Sequence, residues 1–295
     1  MKRYIYVLLA LLLLLTSCSR RKSDSTVTTA APLKTLPTLG ETTLPETTAG
    51  ASLEKQVIYD AGGIVITVTG LQEDWMGTKV NLLVENSTDR NIALSGDVFA
   101  VNGVTVPGYL YAEAAAGMKT NDSLELYSDA LETANITRIA TIRTGDARIV
   151  DTDSFDILAR VNMDLVTDVG PGYEQGIDDS GEELFDEEDI TVIAQVISEE
   201  LYGKTVRLLV KNDTDKDIIV EAENISVNGF TLDAWLYEKI LADTVRYCAL
   251  DLFSGGLEEN GIAEIEKVTF QVKVLNAQNL DTILKSEQLE VYVAG

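Results

Sequence analysis

The sequence predicts an all-β fold of two tandem antiparallel β-sandwiches, and three observations predict it. Period-2 hydrophobic alternation runs through short segments rich in β-branched residues, as in Ile64-Val65-Ile66-Thr67-Val68-Thr69 and Val80-Asn81-Leu82-Leu83-Val84-Glu85. Turn-forming clusters interrupt these segments about every 8–12 residues, the spacing that sandwiches and barrels need. One stretch of about 100 residues also occurs twice at a fixed offset.

The first element is an export signal. Met1-Lys2-Arg3 is basic, and the apolar run Tyr4 to Leu15 follows it. That run falls short of the roughly 20 residues a bilayer span needs, but it has the length of a signal-peptide core. It leads into Leu15-Thr16-Ser17-Cys18, which resembles the lipobox of bacterial prolipoproteins. The resemblance implies that residues 1–17 are removed and that the Cys18 sulfur carries palmitate-type acyl chains. Two chains are about what stable anchoring requires. The expected address is therefore the extracytoplasmic face of a bacterial cell membrane, with the membrane as one partner through the lipid anchor. Arg20, Arg21 and Lys22 lie where anionic headgroups would hold them.

Residues 18–52 are rich in Ser, Thr, Ala and Pro. They cannot bury enough apolar surface to offset the cost of ordering, so a flexible tether is expected. Residues 53–167 form the first repeat. Residues 168–189 carry ten carboxylates and no basic residue, with Gly170-Pro171-Gly172 near the start, and read as an acidic linker. Residues 190–295 form the second repeat, and the two repeats are expected to fold separately.

The duplication is explicit. Gly77-Thr78-Lys79-Val80-Asn81-Leu82-Leu83-Val84-Glu85-Asn86 returns as Gly203-Lys204-Thr205-Val206-Arg207-Leu208-Leu209-Val210-Lys211-Asn212, a shift of 126 residues. Val101-Asn102-Gly103 matches Val227-Asn228-Gly229, and Ile157-Leu158 matches Ile283-Leu284. The register reads as gapless from Ile64 to about Met163. Asn102-Gly103 and Asn228-Gly229 tolerate positive φ and suit tight hairpin turns. Leu131 to Ile136 and Leu257 to Ile262 are each read as one helical turn. Each copy is thus expected to be an immunoglobulin-like sandwich.

Val84-Glu85-Asn86, Val101-Asn102-Gly103, Ala116-Gly117-Met118-Lys119-Thr120-Asn121-Asp122 and Leu131-Glu132 resemble the uncharacterised β-sandwich repeats of Gram-positive surface lipoproteins. The second copy departs from the pattern at Ala242-Asp243-Thr244. The resemblance implies a fold and a surface location, and no catalytic residue.

Chemistry narrows the function further. The chain has no histidine, which removes Ser-His-Asp and Cys-His systems and all histidine metal sites. Its net charge of −25 argues against nucleic acid as a partner. Cys248 shares a face with Leu250 and Leu252 and reads as core. No phosphate-cradling glycine loop occurs. No enzyme, cofactor or metal is expected. Asp151, Asp153 and Asp156 have oxygens at useful spacing for calcium, but they lack the glycine and distal glutamate of an EF-hand loop and read as a solvated turn.

Aromatic residues are the remaining candidates. Trp75-Met76 and Leu201-Tyr202 occupy one loop in the two copies, and either recognise a partner or fold back on the core. Tyr109 and Tyr111 correspond to Trp235 and Tyr237; alternation around a leucine suggests that these four cap the core ends. Two functions fit. One is a non-catalytic surface binding or adhesion module for an extracellular protein or cell-wall polymer. The other is a structural or accessory lipoprotein that positions another envelope component.

Overall fold

Alternation builds the strands as expected. The structure is a computed structural model and describes residues 50–200 and 202–292. The signal peptide, Cys18, most of the tether and Leu201 lie outside the described residues. In the first repeat the strands are β1 (Gln56–Ala61), β2 (Ile64–Asp74), β3 (Gly77–Asn86), β4 (Ile92–Val101), β5 (Val104–Ala114) and β6 (Lys119–Tyr127). After α1 (Ser128–Thr133) come β7 (Thr141–Thr144), β8 (Ala147–Asp151), β9 (Ile157–Val161) and β10 (Asp164–Val166). The second repeat holds β11 (Glu182–Glu187), β12 (Ile190–Glu200), β13 (Gly203–Asn212), β14 (Ile218–Val227), β15 (Phe230–Thr231), β16 (Ala234–Trp235), β17 (Tyr237–Ile240) and β18 (Thr244–Phe253). It ends with α2 (Ser254–Glu259), β19 (Lys267–Asn276), β20 (Thr282–Lys285) and β21 (Leu289–Tyr292). The protein is all-β. Its two short helices begin three residues before the expected turns and bury Leu131 and Leu257.

Strand pairing repeats with the sequence. In β5, Gly108–Leu110 pair with β6 and Tyr111–Ala114 pair with β4. In the second copy the same ribbon is broken into β16, which pairs with β18, and β17, which pairs with β14. Asn102 and Gly103 both take positive φ between β4 and β5, as Asn228 and Gly229 do between β14 and β15. The Asn102 side chain accepts the N–H groups of Ala140 and Thr141 at 2.8 and 3.0 Å and donates to the Arg138 carbonyl at 2.7 Å. Asn228 does the same with Glu266, Lys267 and Glu264. Each repeat buries its own apolar cluster, around Phe99 in the first and Phe270 in the second.

The register is not gapless. Arg148 pairs with Arg160 and Ile149 with Ala159; their counterparts are Lys273 with Lys285 and Val274 with Leu284, a shift of 125. One extra residue sits at Gly145–Asp146, where it splits into β7 and β8 the strand that runs unbroken as β19.

The acidic linker is also shorter than its composition suggests. Residues 182–187 form β11, the counterpart of β1, and pair along β12. Ahead of β11, Gln175 accepts from Asn102 and donates to the Asn135 carbonyl, and Ile177 packs on the first core. Asp178 N–H donates to the Tyr247 hydroxyl at 3.0 Å, and Lys211 pairs with Asp179 at 3.1 Å. Residues 173–179 are therefore a strap fastened to the first repeat by Gln175 and Ile177 and to the second by Asp178 and Asp179. Ser52, expected within the tether, exchanges hydrogen bonds with Asp168.

Strand pairing also crosses between the repeats. Val104 of β5 and Val245 of β18 face each other in parallel, with Val245 N–H donating to the Gly103 carbonyl at 3.1 Å. The pairing joins the described strands into one sheet of fifteen and one of six, rather than two separate sets, and the described residues belong to one compact unit. Leu241 is the hinge pin of this junction. Its N–H donates to Thr105 Oγ1 at 3.1 Å, its carbonyl accepts from Thr244 Oγ1 at 2.7 Å, and the two hydroxyls meet at 2.7 Å.

Candidate functional site

Residues 75 and 202 stand at matching tight turns, β2–β3 and β12–β13. Asp74 Oδ1 accepts the Met76 N–H at 2.8 Å, and Met76 in turn accepts from Ser128 N–H at 3.0 Å. Tyr202 accepts from Ser254 N–H at 2.9 Å. The next residue must be glycine. A Cβ on Gly77 would meet the Leu126 carbonyl oxygen at 2.0 Å, and one on Gly203 would meet that of Leu252 at 2.1 Å, both at positive φ. Close approach to β6 or β18 thus fixes the turn and turns its side chains outward.

Trp75 is 87% exposed and Tyr202 74% exposed. Met76 is exposed as well. Trp75 therefore does not fold back on the core. The strand partners of the two glycines, Tyr127 and Phe253, are also exposed and extend each apolar end. Sequence reasoning passed over this second pair, although both are aromatic and 126 residues apart.

The four strand aromatics do not cap the core. Alternation holds, but it buries Leu110 and Leu236 and turns Tyr109, Tyr111, Trp235 and Tyr237 outward, leaving them between 41 and 59% exposed. Trp235 and Tyr237 lie with ring centroids 6.0 Å apart. Tyr109 adjoins the Glu125–Lys79 pair, at 3.1 Å, while Trp235 adjoins Asp251, which accepts from Thr205 at 2.7 Å.

The carboxylates of Asp151, Asp153 and Asp156 do not converge. Asp151 Oδ1 accepts the N–H groups of Asp153 and Ser154, which hold its carboxyl below the usual range, and its other oxygen faces Arg90 at 3.4 Å. Asp156 accepts from Ser154 and Asp153 from Asn91. No group of three or more Cys, Asp or Glu is gathered for a metal among the described residues. Cys248 is buried in the second core, and burial pushes its thiol up to about 12. At pH 7 it is neither nucleophile nor ligand.

No protein-family model matches the chain, and no curated protein does. Among solved structures, a conserved domain protein from Bacillus anthracis matches 83% of this chain and 92% of its own, at 12% identity and a TM-score of 0.29.

Proposed function

We propose that the protein is a non-catalytic, lipid-anchored binding or adhesion module on the outer face of a bacterial cell membrane. In this reading each repeat is an immunoglobulin-like sandwich, supported by its separate core, and Cys18 supplies the anchor, supported by the lipobox-like segment around it. One observation carries the binding role: Trp75 and Tyr202, at matching turns, both stand in water. Burying such a side chain contributes about 1.5–3 kcal/mol, so two left exposed at equivalent turns suit an external partner. The test is partner capture on intact cells by the double variant Trp75→Ala, Tyr202→Ala. Capture lost at an unchanged melting temperature supports the reading; unchanged capture removes it.

The strap and the Leu241 contact favour a second reading, an accessory lipoprotein that holds another envelope component at a set distance. In that case capture survives the double variant and fails when the junction is loosened.

A further inference from the structure

A cleft of about 650 Å³ lies between the outer face of β13 and β18 and the C-terminal end of α1. Its floor is set by alternation. Val206, Leu208, Cys248 and Leu250 turn into the second core, so Thr205, Arg207, Ala249 and Asp251 turn out toward the first repeat. Thr133 and Asn135 line the opposite wall, and Asp178 of the strap and Tyr202 complete it. The cleft exists only because the repeats are locked together.

The first repeat builds the matching face differently. There the matching face carries Lys79 paired with Glu125 across the strands. At the same place the second repeat has the shorter Thr205, which bonds one Asp251 oxygen and leaves the other without a protein donor among the described residues. Among the described residues Arg207 pairs only with Glu200, at 3.7 Å, and both are half exposed. Donor and acceptor groups therefore stand side by side, neither saturated by the fold.

We propose that this cleft binds a neutral oligosaccharide. A sugar hydroxyl donates and accepts at once, which suits a cleft that offers the Arg207 guanidinium, the Asp251 carboxylate and, across from them, the Asn135 amide. Tyr202 and Phe253 supply aromatic faces for the C–H face of a sugar ring. The carboxylates of the cleft, Asp178, Glu200 and Asp251, outnumber its cations, Lys204 and Arg207, on a chain of net charge −25, which disfavours a polyanion. A greasy ligand would strip water from these groups without replacing it. The proposal shares Tyr202 with the binding reading above and is independent of Trp75.

The experiment applies the full chain in detergent to an array of neutral oligosaccharides of three to six sugars, an anionic glycerol-phosphate polymer and an extended peptide library. Hits are then titrated in solution. Saturable binding of at least one neutral glycan is expected. Arg207→Ala and Tyr202→Ala, both at exposed side chains, should each weaken it about tenfold or more, and Trp75→Ala should leave it unchanged. Binding to no neutral glycan, binding only to peptide or polyanion, or glycan binding indifferent to Arg207→Ala and Tyr202→Ala would each overturn the proposal. Capture on cells that depends on Trp75 can survive all three outcomes, so this site and the binding reading fail separately.

Discussion

Leu241 of the second repeat fills the space that a side chain at Gly145 would need: a Cβ there would lie 2.2 Å from Leu241 Cδ2. Each partner is particular to its own copy. Gly145 belongs to the extra residue that splits β7 from β8, and the counterpart of Leu241 is the exposed Ala115. Divergence after duplication thus produced a knob on one repeat and a socket on the other. The contact cannot propagate to a third copy, since the second repeat has no socket and the first no knob.

Leu241 is fully buried, so Leu241→Ala should cost roughly 2–5 kcal/mol by removing its packing and leaving a cavity. The strap should then become cleavable. Limited proteolysis of the parent should spare residues 173–179, while Leu241→Ala should open cuts there. A strap cut equally fast in both proteins would contradict the interlock.

Asn86 and Asn212 are the matching buried corners. Asn86 Nδ2 donates to the carbonyls of Arg90, Ala114 and Ala115, and its Oδ1 accepts from Thr88 N–H and Oγ1. Asn212 repeats the set with Lys216, Ile240, Leu241 and Thr214. Each Asn→Ala change strands buried polar groups at about 1–3 kcal/mol apiece, so a clear fall in melting temperature is expected for both variants. Asn212→Ala should in addition loosen the strap, because Asn212 holds the Leu241 carbonyl.

Acid should free the N-terminal edge of the first repeat. The Ser52 N–H, foremost, holds the Asp168 carboxyl below its ordinary value of 3.8. A lowered folded value means that the contribution is present above 3.8 and is lost as pH falls through the folded value. Protection of the Ser52 amide, measured as its exchange rate relative to the intrinsic rate at each pH, should therefore fall below about pH 3.8, and Asp168→Asn should remove that acid dependence. Glu238 of β17, which pairs with Arg246, has the opposite sign: burial outweighs the guanidinium and raises it above 4.5, so its contribution is complete below 4.5 and is lost as pH rises through the folded value.

Cys248 should not react with a thiol reagent at pH 8 until the protein unfolds, since burial denies it both access and ionisation. Labelling rate against denaturant should follow the unfolding transition. Fast labelling of the native protein would place Cys248 outside the core.

Much of this architecture was legible in the sequence because it rests on local rules. Alternation reported β2 and β3, and the Asn-Gly pairs reported both hairpins, since few other dipeptides adopt two positive φ angles in succession. Four things were not legible. Strand β11 reads Glu-Glu-Leu-Phe-Asp-Glu, and at a sheet edge charge is tolerated and guards against mispairing, which hid a strand inside apparent linker. The added residue at Gly145 is masked because repeat matches resume by chance on the old offset at Ile157-Leu158. Strand alternation told that Tyr109 and Tyr111 share a side, opposite Leu110, but which side faces water depends on the whole sheet. The cleft needed both repeats in place, and no single segment carries it.

Trp75→Ala should leave stability within about 0.5 kcal/mol, as for a surface position. The most direct measurement of the binding role places a photo-cross-linking residue at position 75, at 202 and, as a control, at the exposed Lys55, each in the full chain on intact cells. The account predicts one recurrent partner, protein or polymer, attached at 75 or 202 and not at 55. Cross-links at 75 and 202 no more frequent or specific than those at 55 would contradict it.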